Sequence, residues 1–303
     1  MGAGHGHDVP TGHAGGRHRW RLAVAFGLVG SFFVVELVAG LLSGSLALIS
    51  DAGHMAADVV ALGAALVATK IATRPDTTGR RSYGSYRAEV FASGFTVLIM
   101  LGVSVYVVIE AISRIGAEIE VQSGTMLVVG VLGLVVNVIS IVLLRAGSKE
   151  SINVKGAYYE VVADAAGSVG VIVAGFLVAA TGAAVWDTVV ALAIGAFVAV
   201  RAIVLGRQVL AVLGQHVPEG IKLDHVIEDL DGVNGVANVH DLHVWTLTSG
   251  MNVATAHLVI QDDSDPQEVL TAAQALLHER HGIEHATLQV ESALTRQCHE
   301  VDW

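Results

Sequence analysis

Long apolar stretches separated by short polar loops dominate the first two thirds of the chain. A helix needs about 20 apolar residues to cross a bilayer core of about 30 Å. Six stretches meet this length, and they predict spanning helices over 22–42, 45–69, 90–113, 124–144, 153–181 and 184–205. The pattern therefore predicts a membrane domain built only from α-helices.

Beyond residue 207 the pattern changes to short amphipathic segments. Alternating apolar and polar residues predict strands, and helical periodicity predicts helices. In order, the segments predict helix, strand, strand, helix and strand over 222–231, 236–247, 252–260, 266–281 and 285–291. This order predicts a small α+β domain with its helices on one face of a sheet.

Composition supports a membrane protein. Of the 303 residues, 53% are hydrophobic and 15% are charged, whereas a soluble chain carries about 25% charged residues. We therefore expect three parts: a disordered tail over 1–19, a membrane domain over 20–207 and an α+β domain over 208–303. The tail carries histidines among glycines, which indicate either weak metal capture or a flexible tail with no role: His5, His7, His13 and His18.

The basic residues predict how the chain lies in the membrane. Lys and Arg gather in the N-terminal tail, in the loops after the second and fourth spans, and after the sixth span. On the opposite side Arg114 is the one basic residue. By the positive-inside rule, we expect both termini in the cytoplasm. We expect the protein itself in the inner membrane of the cell. The net charge of −11 argues against a nucleic-acid partner.

Two ionisable pairs lie inside predicted spans. His54 and Asp58 are four residues apart in the second span, and Glu160 and Asp164 are four apart in the fifth. This spacing puts both members of a pair on one helix face, about 40° apart. A charge at mid-bilayer costs at least about 2.5 kcal/mol and marks a pathway or a partner. One imidazole and three carboxylates make up a ligand set for a first-row metal ion.

Depth brings the two pairs to one level. At 1.5 Å per residue, His54 and Asp58 lie roughly 13–20 Å from the outer surface, and Glu160 and Asp164 roughly 10–17 Å from the inner one. Metal binding to these groups releases protons. A site exposed to each side in turn is therefore expected to exchange a divalent cation for protons, with His54 as the natural proton carrier.

Other polar residues within the spans have alternative interpretations. Asp51 is expected beside the site, as a partner of a ligand or as a vestibule residue, and a direct ligand role is the less favoured alternative. Glu36 and Asp187 are open between a structural role and a place on the ion path. Asn137 is expected to form a hydrogen bond between helices.

Several motifs resemble the cation diffusion facilitator family, in its bacterial cobalt–zinc–cadmium efflux branch, which is related to animal zinc transporters. These motifs are GSLALISDAGHMAADVVALG, YGSYRAEVFASG, GSKESINVKGAYYEVVADAAGSVGVI, VPEGI and VHDLHVWTLTSG. The resemblance implies a six-helix transporter with a cytoplasmic ferredoxin-like, metallochaperone-like domain. It also implies a homodimer that exports divalent metal against an inward flow of protons, with no cofactor beyond the transported metal.

Glu160 departs from the family pattern. The zinc-exporting members usually carry His-x-x-x-Asp in the fifth helix, where this chain has Glu-x-x-x-Asp. One imidazole with three carboxylates still accepts Zn²⁺, the first expectation, but shifts preference toward Mn²⁺, Fe²⁺ or Co²⁺. Cd²⁺ is a further candidate through the resemblance.

The resemblance also implies a regulatory Zn²⁺ site in the C-terminal domain. Its pattern maps onto His240, His257 and Glu291, with His285 as the histidine near the last strand. Cys298 and His299 are candidates for a ligand pair that reaches the partner subunit.

Two other classes of function remain to be weighed. A membrane metal sensor would need a signalling output domain, which no segment resembles. An intramembrane metalloenzyme would keep three ligands and an open position, and no separate nucleophile or base accompanies this site. The sequence therefore predicts a transporter rather than an enzyme.

Overall fold

The membrane domain consists of long helices. The structure, a computed structural model, describes residues 19–72, 83, 85–117, 119–145, 152–248 and 250–292, with side chains except at 19–22, 61–72 and 152–156. In these ranges the long helices are α1 Arg19–Ser43, α2 Leu46–Ala72, α3 Ala88–Ser113, α4 Ser123–Arg145, α5 Ile152–Thr181 and α6 Val185–Leu213. Over the described residues, all of them except α2 have both the length and the hydropathy expected of a membrane span. The predicted helices are thus confirmed, whereas the tail histidines lie outside the described residues.

The described chain forms two compact units. One comprises the described parts of 19–62 and 96–203, and the other those of 63–95 and 204–292. In the first unit α4 packs against both α1 and α5. Glycines allow these close approaches: a Cβ at Gly133 would lie 2.7 Å from the Phe32 ring of α1, and one at Gly130 would lie 2.9 Å from the Ile172 side chain of α5. Small residues at helix crossings are therefore a packing requirement here.

Asp187, at the start of α6, holds the first turn of α2. Its carboxylate is fully buried. It accepts hydrogen bonds from the Ser45 hydroxyl at 2.6 Å and from the backbone N–H groups of Leu46 at 2.7 Å and Ala47 at 3.1 Å. Arg114 Nη1 lies 3.3 Å from the same carboxylate. Asp187 thus has a structural role, since it satisfies N–H groups that a helix start leaves without partners, and its alternative place on the ion path stays a prediction.

The C-terminal α+β domain has a three-stranded sheet over its described residues. The strands are β1 Val236–Thr248, β2 Met251–Ile260 and β3 Ile283–Ser292, in the order β1-β2-β3. β1 and β2 are antiparallel, while β2 and β3 are parallel. The helices α7 Leu223–Asp231 and α8 Pro266–His281 share one apolar core with the strands. The predicted elements and α+β class are confirmed, and α8 provides the crossover that a parallel pair requires.

Local sequence signals begin and end α8. The Asp265 side chain accepts hydrogen bonds from the N–H groups of Gln267 at 2.7 Å and Glu268 at 3.4 Å. Gly282 closes the helix with a φ of 61°, a left-handed conformation that glycine adopts without strain. His281 Nε2 lies 2.9 Å from Asp229 Oδ2 and so links α8 to α7.

We expect Asp187→Ala to lower the free energy of unfolding by about 2–5 kcal/mol, because it removes a helix cap and leaves Arg114 without its buried partner. Thermal unfolding of the purified protein in detergent measures this. Asp187→Asn should lose less, because the amide keeps one acceptor. Asp224→Ala, which removes an exposed carboxylate, is the matched control. Equal unfolding midpoints for Asp187→Ala and the control would contradict the capping role.

Candidate metal centres

The first centre lies within the membrane domain, where α2 meets α5. His54 and Asp58 on α2 and Asp164 on α5 each offer a ligand atom within 4.8 Å of the others. His54 Nε2 lies 3.4 Å from Asp164 Oδ1 and 3.8 Å from Asp58 Oδ2. Ligands at about 2.1 Å from a tetrahedral ion lie about 3.4 Å from each other, so this spacing suits such an ion. His54 and Asp164 are buried.

The fourth predicted ligand, Glu160, stands slightly apart. It is absent from the group of three, and its carboxylate is paired with a guanidinium from α6. Arg201 Nη2 lies 2.7 Å from Oε1 of Glu160 and 2.6 Å from Oε2. The structure therefore brings His54, Asp58 and Asp164 together and puts Arg201 between Glu160 and the other three. The ligand role of all four residues stays a prediction.

Arg201 was not anticipated from the sequence. Besides Glu160, its guanidinium contacts His54 Nε2 at 2.9 Å and approaches Asp58 Oδ1 to 3.9 Å. A signal was present, since Arg201 is a basic residue inside the sixth predicted span, and an intramembrane charge marks a functional site. The positive-inside rule does not take such a residue into account, because it counts basic residues in the loops and at the ends of the spans.

Three other polar residues singled out from the sequence, Glu36, Asp51 and Asn137, are not members of this group. Asn137 Nδ2 donates to Ser168 Oγ at 3.2 Å, which confirms the hydrogen bond expected between helices. Asp51 lies against Gly167 of α5. Both carboxyl oxygens of Glu36, and Oδ1 of Asp51, are buried, and the two carboxyl groups interact with each other. The place predicted for Asp51 beside the site stays a prediction, as does the choice for Glu36 between a structural role and the ion path.

The second centre lies on the sheet of the C-terminal domain. His240 on β1 faces His257 on β2 in the strand register, and Glu291 on β3 completes a group within 4.8 Å. His257 Nδ1 lies 3.0 Å from Glu291 Oε1, and His240 Nε2 lies 3.4 Å from Oε2. Two imidazoles and a carboxylate are ligand types that zinc accepts, and Asp241 Oδ2, 3.8 Å from His257 Nε2, adds a further oxygen nearby.

The electrostatics of this centre favour the ionised carboxylate. Burial raises the pKa of Glu291, but hydrogen bonds from Gln289 and His240 and the charges of His257 and His240 outweigh it and lower the pKa below its usual value. Glu291 is therefore a carboxylate at neutral pH, the form that binds metal.

The structure does not bring His285 to this group. In the strand register His285 lies opposite Val253, four residues from His257 along β2. Its ring packs edge-on against Tyr83, with 5.8 Å between centroids. The parallel register of β3 decides this, because Glu291 and His285 are six residues apart on one strand. Cys298 and His299 lie outside the described residues.

Comparison with known proteins identifies the family. The family model described as "Cation efflux transmembrane domain" matches residues 22–213, and that described as "Cation efflux protein, cytoplasmic domain" matches 218–293. The chain therefore belongs to the cation efflux family and is a multi-pass membrane transporter of metal cations. The second model is that of the family's dimerisation domain, which supports the predicted homodimer.

Named relatives share nearly the full length. The metal cation efflux system protein CzcD of Cupriavidus metallidurans is 42% identical over 98% of this chain and 93% of its own. A cadmium, cobalt and zinc/H⁺-K⁺ antiporter of Bacillus velezensis is 32% identical over 96% of this chain and 92% of its own. Zinc transporter ZitB of Escherichia coli is 34% identical over 93% and 89%.

We expect Glu291→Gln to weaken Zn²⁺ binding at the second centre by about 10–100-fold, since it replaces a charged ligand by a neutral amide. Equilibrium dialysis of the full chain measures this in a background of Asp58→Ala and Asp164→Ala, so that the membrane centre does not contribute. His285→Gln is the control, and the structure predicts unchanged binding. A loss with His285→Gln equal to that with Glu291→Gln would contradict the ligand group seen here.

Proposed function

We propose that this chain exports divalent metal cations, Zn²⁺ first among them, from the cytoplasm in exchange for protons. The observation that carries the proposal is the meeting of His54, Asp58 and Asp164 from two membrane helices within 4.8 Å. The printed names of the relatives, which include a zinc transporter and an antiporter for cadmium, cobalt and zinc, support the choice of cargo.

Proton exchange follows from the chemistry of the ligands. An imidazole binds metal only when neutral, and a carboxylate only when ionised, so metal and protons compete for the same groups. When the centre opens to one side it releases metal and binds protons. When it then opens to the other side it releases the protons and binds metal again. His54, Asp58, Glu160 and Asp164 are the proposed ligands of the transported ion.

The same proposal assigns the parts of the chain. Both termini and the domain over 208–303 lie in the cytoplasm, the membrane domain over 20–207 crosses the cell membrane, and the tail over 1–19 precedes it. The group of His240, His257 and Glu291 binds a regulatory Zn²⁺ and so responds to the level of metal in the cytoplasm. We propose no enzymatic activity.

Reconstituted transport tests the function. In proteoliposomes with an imposed pH gradient, the unaltered protein should take up divalent metal from a panel of Zn²⁺, Co²⁺, Cd²⁺, Mn²⁺ and Fe²⁺. Asp164→Asn should reduce uptake by about tenfold or more, because it removes a charged ligand without changing the size of the side chain. Glu120→Gln, in the exposed loop before α4, is the control with the same chemical change.

The two possible failures of this test have different meanings. Absence of uptake by the unaltered protein for every metal would overturn metal export. Full uptake by Asp164→Asn would leave export standing but would show that the transport site lies elsewhere.

Glu160→His tests the source of metal preference. A second imidazole makes the ligand set softer, so Zn²⁺ uptake should rise several-fold relative to Mn²⁺ uptake. The measured quantity is the ratio of initial uptake rates for the two metals in the same vesicles. An unchanged ratio would show that Glu160 does not set the preference.

A further inference from the structure

Arg201 occupies the space that a metal ion bound by His54 and Glu160 would need. Its guanidinium bonds to both carboxylate oxygens of Glu160, at 2.7 and 2.6 Å, and contacts His54 Nε2 at 2.9 Å. It belongs to α6, whereas His54 and Glu160 belong to α2 and α5, so one side chain joins three helices at the centre.

The chemistry of arginine sets this contact against metal binding. A guanidinium stays protonated and can only donate. Nη1 of Arg201 lies 2.9 Å from Nε2 and 3.5 Å from Nδ1 of His54, so a permanent cation stands against the imidazole that a metal ion would bind. Nη2 likewise lies within 2.7 Å of both oxygens of Glu160 and so stands where a metal ion bound through both oxygens would lie.

We propose that Arg201 is a tethered cation that competes with the transported metal for His54 and Glu160. Metal loads by displacing the guanidinium, after which Glu160 is able to complete the ligand shell. The guanidinium returns as the metal leaves, which offsets the loss of the metal–ligand bonds and speeds release. The inference rests on the proposed export function, since it concerns the same site.

The rest of the centre agrees with this role. Without a cation, three carboxylates and an imidazole would face one another in a medium of low dielectric constant. Arg201 compensates Glu160 directly and lies 3.9 Å from Asp58. Phe197, one turn earlier on α6, packs edge-on against His54, with 6.1 Å between ring centroids, and lies 6.0 Å from the guanidinium carbon. The side chain thus has a defined place beside the ligands.

A purely structural role for Arg201 predicts the opposite change in metal affinity when its charge is removed. If Arg201 only ties α6 to α2 and α5, Arg201→Met should disorder the ligands and weaken metal binding. If Arg201 competes with metal, the same change should tighten binding and slow turnover. The sign of the change in affinity therefore distinguishes the two roles.

The first experiment measures equilibrium binding and transport for Arg201→Met, in a Glu291→Gln background that silences the C-terminal centre. We expect the dissociation constants for Zn²⁺ and Mn²⁺ to fall about tenfold, the value of one charged hydrogen bond. Both the half-saturating metal concentration and the maximal rate of uptake should fall. Arg207→Met, which removes an exposed charge from the same helix, should match the unaltered protein.

A second experiment compares two adducts on one folded variant. Arg201→Cys, made with Cys298→Ser, is modified either with aminoethyl methanethiosulfonate, which restores a positive charge, or with ethyl methanethiosulfonate, which does not. The cationic adduct should bind Zn²⁺ about tenfold more weakly than the neutral one. Because both adducts share one protein, this comparison decides the question even where Arg201→Met fails to fold.

Unchanged or weaker binding by Arg201→Met, or equal affinities for the two adducts, would overturn the proposal. A failure of the export function looks different: the unaltered protein would then show no binding that Asp164→Asn removes. The two failures are therefore distinguishable within one set of measurements.

Discussion

The cost of a charge in a low-dielectric interior shapes the membrane domain. An uncompensated ion there costs several kcal/mol, so a charged side chain persists only with a partner or a function. Asp187 meets this requirement with Arg114, the Ser45 hydroxyl and two N–H groups of α2. Glu160 meets it with Arg201. The His54, Asp58 and Asp164 group keeps carboxylate oxygens without hydrogen bonds from described residues, as an ion site requires.

Asp187 links this electrostatic requirement to the geometry of the centre. It anchors the first turn of α2, the helix that carries His54 and Asp58 two and three turns later. A rigid helix transmits the position of its start to the residues further along it. Asp187 of α6 thus holds the start of the helix that carries His54 and Asp58.

The two candidate metal centres are built from different kinds of secondary structure. In the membrane, the i, i+4 spacing of α2 gives one pair and the adjacent α5 gives Asp164. In the C-terminal domain, cross-strand register gives His240 opposite His257, and the parallel strand β3 gives Glu291. The helical centre combines one imidazole with two carboxylates and the sheet centre two imidazoles with one. The sheet centre is therefore the softer ligand set of the two.

The sequence by itself determined the elements and the ligand pairs within each element. Hydrophobic length predicts the spans, alternation predicts the strands, and the spacing of His54 to Asp58 follows from helix geometry alone. Tertiary structure decided which elements meet. His285 matches a motif yet lies opposite Val253, because register is set by pairing across strands. Arg201 is one charge in an apolar run, and only the packing of α6 against α2 and α5 brings it to His54 and Glu160. Contacts between distant segments depend on the packing of whole faces, which no local pattern encodes.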